Sequence, residues 1–389
     1  MKNYIRLGLF IVGMIFTTTS SLQASPAFAK QYDMQCASCH VSLPPMLNST
    51  GMKFLRNGFR FSKSDETAYS RMMSDDEDKQ YYPVAGFLSA VYSSELDKLY
   101  PQAIIFLTGS ITQDVSLFAG MRLGIIDKNP EDTDSKQLDD KKKSTSLMMM
   151  GAKIYAQYNL DDKGEQVVRA GIVTPTTPFG NVRKATEHAL SSNMQAYKTP
   201  LSVASTKPLV GAEYSYLLDD KTLFYVAAGM LPGKTPGKEI AAGIGYKTDF
   251  GLKYGVIYQK IMGYDDNLTA TIPTSGIWDP ELRLANRDTV ILPIEKDFGI
   301  CNYNVSFVYK TDDYYVDDFY GVENGLTFPL FGTDAFRLIA NIDNEQRKAY
   351  SGTYSMFINS MYIISLSAER VDTDIYKENI FDFTASWVF

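Results

Sequence analysis

The segment Tyr303-Asn304-Val305-Ser306-Phe307-Val308-Tyr309-Lys310 places Tyr, Val, Phe and Tyr on one side and Asn, Ser, Val and Lys on the other. That period of two is the pattern of a β-strand, whose successive side chains point to opposite faces. The texture continues in both directions. Leu252, Tyr254, Val256 and Tyr258 alternate with Lys253, Gly255, Ile257 and Gln259. Ala152, Ile154, Ala156 and Tyr158 alternate with Lys153, Tyr155 and Gln157, and Phe336, Leu338, Ala340 and Ile342 with Arg337, Ile339 and Asn341. Val115, Leu117, Ala119, Met121, Leu123 and Ile125 form one long apolar face.

A soluble β-sandwich and a membrane β-barrel both produce this pattern, the first burying its apolar face in a core and the second turning it to lipid. Three features favour the barrel. The segments run near ten residues, the length of a tilted spanning strand. The chain has 26 Tyr and 22 Phe, as aromatic girdles require. Its last segment, Phe381-Asp382-Phe383-Thr384-Ala385-Ser386-Trp387-Val388-Phe389, is mostly apolar at odd positions and stops on Phe. This looks like the terminal strand by which bacterial outer-membrane barrels are recognised for assembly. Residues 83–389 number 307. At about 19 residues per strand and connection they hold about 16 strands, within the bacterial range.

The amino end reads differently. Lys2 and Arg6 precede an apolar run, Leu7–Phe16, which is too short to span a bilayer and is followed by small residues. Residues 1–29 are predicted to be a secretory signal peptide, cleaved after Ala24 or after Ala29. Removing 1–24 takes two of the 38 Lys+Arg and none of the 45 Asp+Glu, leaving 36 against 45, a net charge of −9. Such a surface has little with which to neutralise nucleic-acid phosphates. No later stretch reaches the length of a membrane helix, so a mature protein that spans a membrane does so as a closed barrel.

The chain has three Cys and two His, and three of those five fall in Cys36-Ala37-Ser38-Cys39-His40. In an exported chain, Cys-x-x-Cys-His is the attachment motif of c-type haem. Each thiol adds to a haem vinyl group and the adjacent imidazole ligates iron. A zinc site needs about four ligands, and only Cys301 and His188 remain, both far away in sequence. Cys301 alone builds no disulfide framework. One covalent haem c, on Cys36 and Cys39 with His40 as proximal ligand, is therefore expected. The distal ligand is open among Met46, Met52, Met72, Met73 and His188. Met52 falls in a short helical pattern that starts near Ser49 or Thr50 and ends at Asn57-Gly58, and is expected to pack there. Met34 is expected on the haem edge. Met72 and Met73 have the chain length to cross the ring and are the preferred pair. A Met opposite His raises the potential, whereas a second His lowers it.

Between strands, Asp127–Ser146 reads as a polar extracellular loop containing the solvated run Lys141–Lys143. Thr174–Pro208, with five prolines and glycines that preclude a continuous strand, is a candidate constriction or plug. Asp75-Asp76-Glu77-Asp78 reads as a solvated link into the first strand.

The sequence Phe28-Ala29-x-x-Tyr32-x-Met34-x-Cys36-x-x-Cys39-His40, followed by Pro45-x-Leu47-Asn48-x-x-Gly51-x-x-Phe54-x-x-Asn57-Gly58-Phe59, resembles the amino end of outer-membrane cytochrome–porin fusions, including iron-oxidising cytochromes. The resemblance covers about 35 residues and implies haem on Cys36, Cys39 and His40, held in or at a barrel mouth. The expected fold is mainly β, a small α-helical monohaem cytochrome c unit (residues 30–82) followed by a transmembrane antiparallel barrel (83–389). The expected function is electron transfer across the outer membrane, from extracellular Fe(II) or another reduced donor to a periplasmic c-type cytochrome. In enzymatic terms the expectation is open between an Fe(II):cytochrome c oxidoreductase and a plain electron-transfer protein. Its other partner is outer-membrane lipid. Two alternatives stand beside it: a solute porin with a haem-bearing plug or sensor, and a soluble periplasmic cytochrome with a β-sandwich.

Overall fold

The computed structural model describes residues 28, 31–32, 34, 38–39, 47–76, 80, 82–94, 98–128, 144–173, 209–230, 237–263, 286–312, 319–330, 335–343, 348–358, 362–372 and 377–388. Two short helices come first, α1 (Ser49–Arg56) and α2 (Ala68–Met72). Sixteen strands follow: β1 (Val84–Ser93), β2 (Lys98–Ser110), β3 (Val115–Lys128), β4 (Ser144–Asn159), β5 (Gln166–Val173), β6 (Leu209–Leu218), β7 (Thr222–Met230), β8 (Lys238–Lys247), β9 (Leu252–Met262), β10 (Arg287–Asp297), β11 (Asn302–Asp312), β12 (Phe319–Pro329), β13 (Ala335–Asp343), β14 (Lys348–Ile358), β15 (Tyr362–Asp372) and β16 (Lys377–Val388). Each pairs antiparallel with its sequence neighbours, and β1 pairs with β16, which closes the barrel. Closure leaves no unpaired sheet edge, the condition for a sheet to lie in hydrocarbon. Among the described residues no helix is long and apolar enough to cross a membrane.

The alternation sorts as expected. Ile154, Tyr158, Val226, Val256, Phe307, Leu338 and Leu366 are exposed on the outer surface. The intervening residues line the lumen, and many are buried and polar, among them Gln157, Arg169, Glu213, Gln259, Asn304 and Arg337. One departure is a buried apolar belt on the inner wall, formed by Val173, Leu209, Tyr225, Ala227, Ala241, Ile257, Ile291 and Val308. Ile257 and Val308 sit on the polar sides of their strands because a wall that is itself covered does not select for polarity.

The loop expected over Asp127–Ser146 is shorter at both ends. Asp127 pairs with Thr145 and Lys128 with Ser144, so ladder hydrogen bonds extend the hairpin through polar side chains. Residues 129–143, Lys141–Lys143 among them, and Thr174–Pro208 lie outside the described residues.

The two barrel ends differ. At one, the connections are tight: Ile111–Asp114, Leu160–Glu165, Asp219–Lys221, Thr248–Gly251 and Phe298–Cys301. Asp219 and Asp220 have φ of 52° and 55°, the double positive φ of the two-residue hairpin turn that Asp tolerates. Connections at the other end include residues 129–143, 174–208 and 263–286. Short turns mark the periplasmic end of such barrels and long loops the extracellular end. The start of β1 and the end of β16 share the short-turn end.

β16 carries the closure. Trp387 lies opposite Leu88 of β1 and Tyr362 of β15, and the Ser386 and Ser89 hydroxyls bond at 2.8 Å across the seam. Deleting residues 387–389 is expected to leave export intact and to deplete the protein from the outer membrane. Fractionation with heat-modifiable gel mobility reads this; wild-type levels of a heat-modifiable truncated chain would contradict it.

Candidate cofactor site at the periplasmic mouth

α1 is built to stop sharply. Asn48 caps its start, its side chain accepting from Gly51 N at 3.0 Å. At the other end Gly58 has φ of 70° and Phe59 of 64°. Phe59 N donates to Phe54 O at 2.9 Å and Gly58 N to Leu55 O at 3.3 Å, the paired bonds of a Schellman cap. A side chain at Gly58 would also meet Ser116 Oγ of β3 at 3.0 Å, so the same glycine lets the helix end approach the barrel wall.

The segment bearing the Cys-x-x-Cys-His motif is tied to this helix. Asn48 N donates to Cys39 O at 2.9 Å, and Asn48 Nδ2 to Ser38 O at 3.0 Å. Gly51 packs directly against Cys39; a Cβ there would lie 2.2 Å from Cys39 O. Cys39 is half-buried. Cys36, His40, Met46 and His188 lie outside the described residues. Met34 and Met52 are half-buried. Of the distal pair, Met72 is half-buried at the end of α2 and Met73 is 62% exposed just beyond it.

One turn along α1 from Gly51, Phe54 centres an aromatic cluster. Its ring lies 5.0 Å from Phe28, 5.6 Å from Tyr32 and 4.9 Å from Phe61, and Phe28 stacks on Phe59 at 5.6 Å. Burial, then the nearby Asp65 carboxylate, pushes the Tyr32 hydroxyl up to about 12. The contacts of Phe28 bear on the signal peptide, because cleavage after Ala29 would remove this ring. Cleavage is therefore expected after Ala24. Amino-terminal sequencing of the mature protein should begin at Ser25; a start at Lys30 would contradict this.

The helical unit is fastened to two periplasmic turns and the adjoining wall. Arg56, 3% exposed, donates from Nε to Gly164 O at 2.9 Å, from Nη1 to Ser215 Oγ at 3.1 Å and from Nη2 to Glu165 O at 2.5 Å. Burial, then the Arg169 guanidinium, lowers its pKa to about 10, so it stays charged at neutral pH. From the wall, Gln157 Nε2 donates to Leu55 O and Arg56 O at 3.1 and 2.9 Å, and Asn159 Nδ2 to Arg56 O at 2.8 Å. The helix's terminal carbonyls are thus satisfied by the barrel. Arg60 clasps Gln113 at its side-chain and backbone oxygens, both at 2.5 Å. Lys63 bridges Asp114 at 2.6 Å and Asp162 at 2.7 Å, and those two carboxylates raise its pKa. Ala68 N donates to Ser110 Oγ at 3.1 Å, and Gly109 leaves room for the Ala68 methyl.

Aromatic contacts continue from the docked unit onto the lumen wall. Phe59 lies 6.2 Å from Phe118, which stacks on Tyr155 at 5.1 Å and stands 5.9 Å from Phe106. Phe106 is in turn 6.0 Å from Phe87. Arg169 sits over Tyr155 at 5.5 Å and bonds Gln157 and Glu213. None of these contacts carries a motif, because each joins residues far apart in sequence. Among the described residues no three His, Cys, Asp or Glu side chains converge as a metal set.

Porin-like outer-membrane β-barrels are the class this architecture defines. The fold is similar to that of a loop-deletion mutant of OmpT, an outer-membrane protein of Vibrio cholerae, at a TM-score of 0.50 and 9% identity over 79% of this chain and 98% of that one. A mutant of the Rh. blastica porin (TM-score 0.47, 12% identity, 79% and 98% covered) is also similar. So is Pseudomonas aeruginosa OpdK, solved with vanillate (TM-score 0.46, 9% identity, 79% and 97% covered). No family model matches the chain, and no curated protein matches it. The protein is an outer-membrane β-barrel with a helical unit docked at its short-turn mouth.

Proposed function

We propose that residues 30–82 carry one haem c on Cys36 and Cys39, with His40 as its proximal ligand, and that the protein transfers electrons across the outer membrane. The donor is extracellular Fe(II) or another reduced species, and the acceptor is a periplasmic c-type cytochrome. The observation that carries the reading is the fastening of the Cys39 segment, through Asn48 and Gly51, to a helix anchored in the barrel wall by Arg56. A redox motif held on a tether would not need a buried guanidinium to fix it.

The residues fit the group. Two thiols and an imidazole in one pentapeptide are the required donor set, and the rings of Phe28, Tyr32, Phe54, Phe59 and Phe61 supply apolar surface close to it. A haem bound there supplies one-electron exchange at iron. The chain's own part is to hold it at the periplasmic face, where Gly51 admits the close approach of Cys39 and the Arg56, Arg60 and Lys63 contacts keep the unit from turning. The hydrocarbon core is about 30 Å thick, and the closed lumen offers a polar path through it.

One observation favours the alternative of a solute porin: the lumen wall of β11–β16 is lined by small hydroxyls and amides such as Asn304, Thr353, Ser365 and Ser386. Redox titration of the purified protein with Fe(II), beside single-channel recording, separates the two. Reduction at a potential within reach of Fe(II), with small conductance, supports electron transfer. A large steady conductance without a haem couple supports the porin. Met72→Ala with Met73→Ala is expected to remove the weak Met-to-iron band and lower the potential. An unchanged spectrum, with His188→Ala altering it instead, would mean bis-histidine ligation and outward electron flow.

A further inference from the structure

Elsewhere on the lumen wall a number of polar side chains bond to one another. Ser355 and Ser365 bond at 2.8 Å, Gln259 donates to Glu239 at 2.7 Å, and Lys253 pairs with Glu295 at 2.6 Å. On β11–β13 they do not. Arg337 is 6% exposed, yet its Nε and Nη2 have no hydrogen-bond partner. Beside it, Thr327 Oγ1 is likewise buried and unpartnered, as are both ends of the Asn304 amide one strand further on. Thr327 is the direct cross-strand neighbour of Arg337, and Asn304 lies opposite Gly325, whose missing side chain lets the amide lean across. By strand spacing the backbone positions of Arg337 and Asn304 lie about 12 Å apart, with Thr327 on the strand between them.

A guanidinium cannot shed its charge, and its planar fork matches a carboxylate. We propose that Arg337, Thr327 and Asn304 form a carboxylate-binding site on the lumen wall. Glu323 lies on the same face of β12, four residues from Thr327, and does not occupy these donors. A single guanidinium selects a singly charged carboxylate over phosphate. Two sources supply that chemistry: a free carboxylate solute in the lumen, or a propionate of the haem. Only the second rests on the function proposed above.

The test uses full-length, haem-loaded protein in detergent, with butyrate as probe, in wild type, Arg337→Gln, Arg337→Lys and Thr327→Val. Heat-modifiable mobility reports folding and haem stain reports loading, so loss of haem is scored separately from loss of the site. A free-solute site binds butyrate saturably in wild type. Arg337→Gln then weakens it by roughly tenfold to a hundredfold, the size of a charged hydrogen bond. Arg337→Lys weakens it less, and the haem potential is unmoved. A propionate site leaves butyrate unbound and the potential falls in Arg337→Gln, since removing a cation favours the ferric state. Thr327→Val gives a smaller change of the same kind and stands in should Arg337→Gln not fold. No butyrate binding together with an unmoved potential in the folded variants overturns the proposal.

Discussion

Arg56→Ala is expected to release the helical unit from the barrel while leaving the barrel closed. The substitution deletes three hydrogen bonds from one buried cation and leaves Gly164 O, Glu165 O and Ser215 Oγ to find new partners. Hydrogen bonds to charged groups contribute about 1.5–3 kcal/mol each. Relief of the burial, and then of the Arg169 repulsion, that lower the Arg56 pKa offsets part of that. The net cost is about 3 kcal/mol or more, and roughly 1.4 kcal/mol is tenfold, so the docked state should lose at least a hundredfold in population. Limited proteolysis reads this directly: the variant should be cut between residue 57 and β1 under conditions in which wild type resists, with heat-modifiable mobility of the barrel retained. Wild-type resistance would mean that the Arg60 and Lys63 contacts suffice alone. Exposed pairs such as Lys53 with Asp220 contribute little by comparison, so Lys53→Ala serves as the quiet control.

His40→Ala and Cys39→Ala are expected to yield outer-membrane protein without a normal c-type haem. In the proposed function the motif supplies both thioether bonds and the proximal ligand. The effect should be close to complete in staining after denaturing electrophoresis. Wild-type stain intensity in both variants would remove the haem assignment and with it the electron-transfer reading. Cys301→Ala, in the β10–β11 turn, should leave the stain unchanged.

The barrel was legible because lipid and lumen sort side chains at a period of two along every strand, and the count of about 16 followed from length alone. The helix over Ser49–Arg56 was equally legible from Ser49 or Thr50 at its start and Asn57-Gly58 at its end, although its cap is Asn48. The docking was not legible. Arg56 meets Gly164 and Ser215 across 108 and 159 residues of sequence, and nothing local distinguishes it from a solvated arginine at a helix end. The buried apolar belt was hidden for a related reason. Ile257 and Val308 interrupt polar faces, and only the paired strands show that Ile291 lies between them and joins them in one belt. The polar loop from Asp127 was drawn too long because side-chain polarity says nothing of ladder hydrogen bonds at a hairpin's ends. The unpartnered donors around Arg337 needed the register of three strands to bring them together.

Electrons are proposed to cross the membrane through this chain. Purified protein reconstituted in liposomes, with an oxidised c-type cytochrome trapped inside and a dextran-tethered reductant outside, tests it most directly, because neither partner can pass a lumen. The predicted result is reduction of the trapped cytochrome with wild-type protein and none with His40→Ala. A trapped cytochrome that stays oxidised beside wild-type protein, in vesicles that leak small solutes freely, would contradict the claim and leave a diffusion porin.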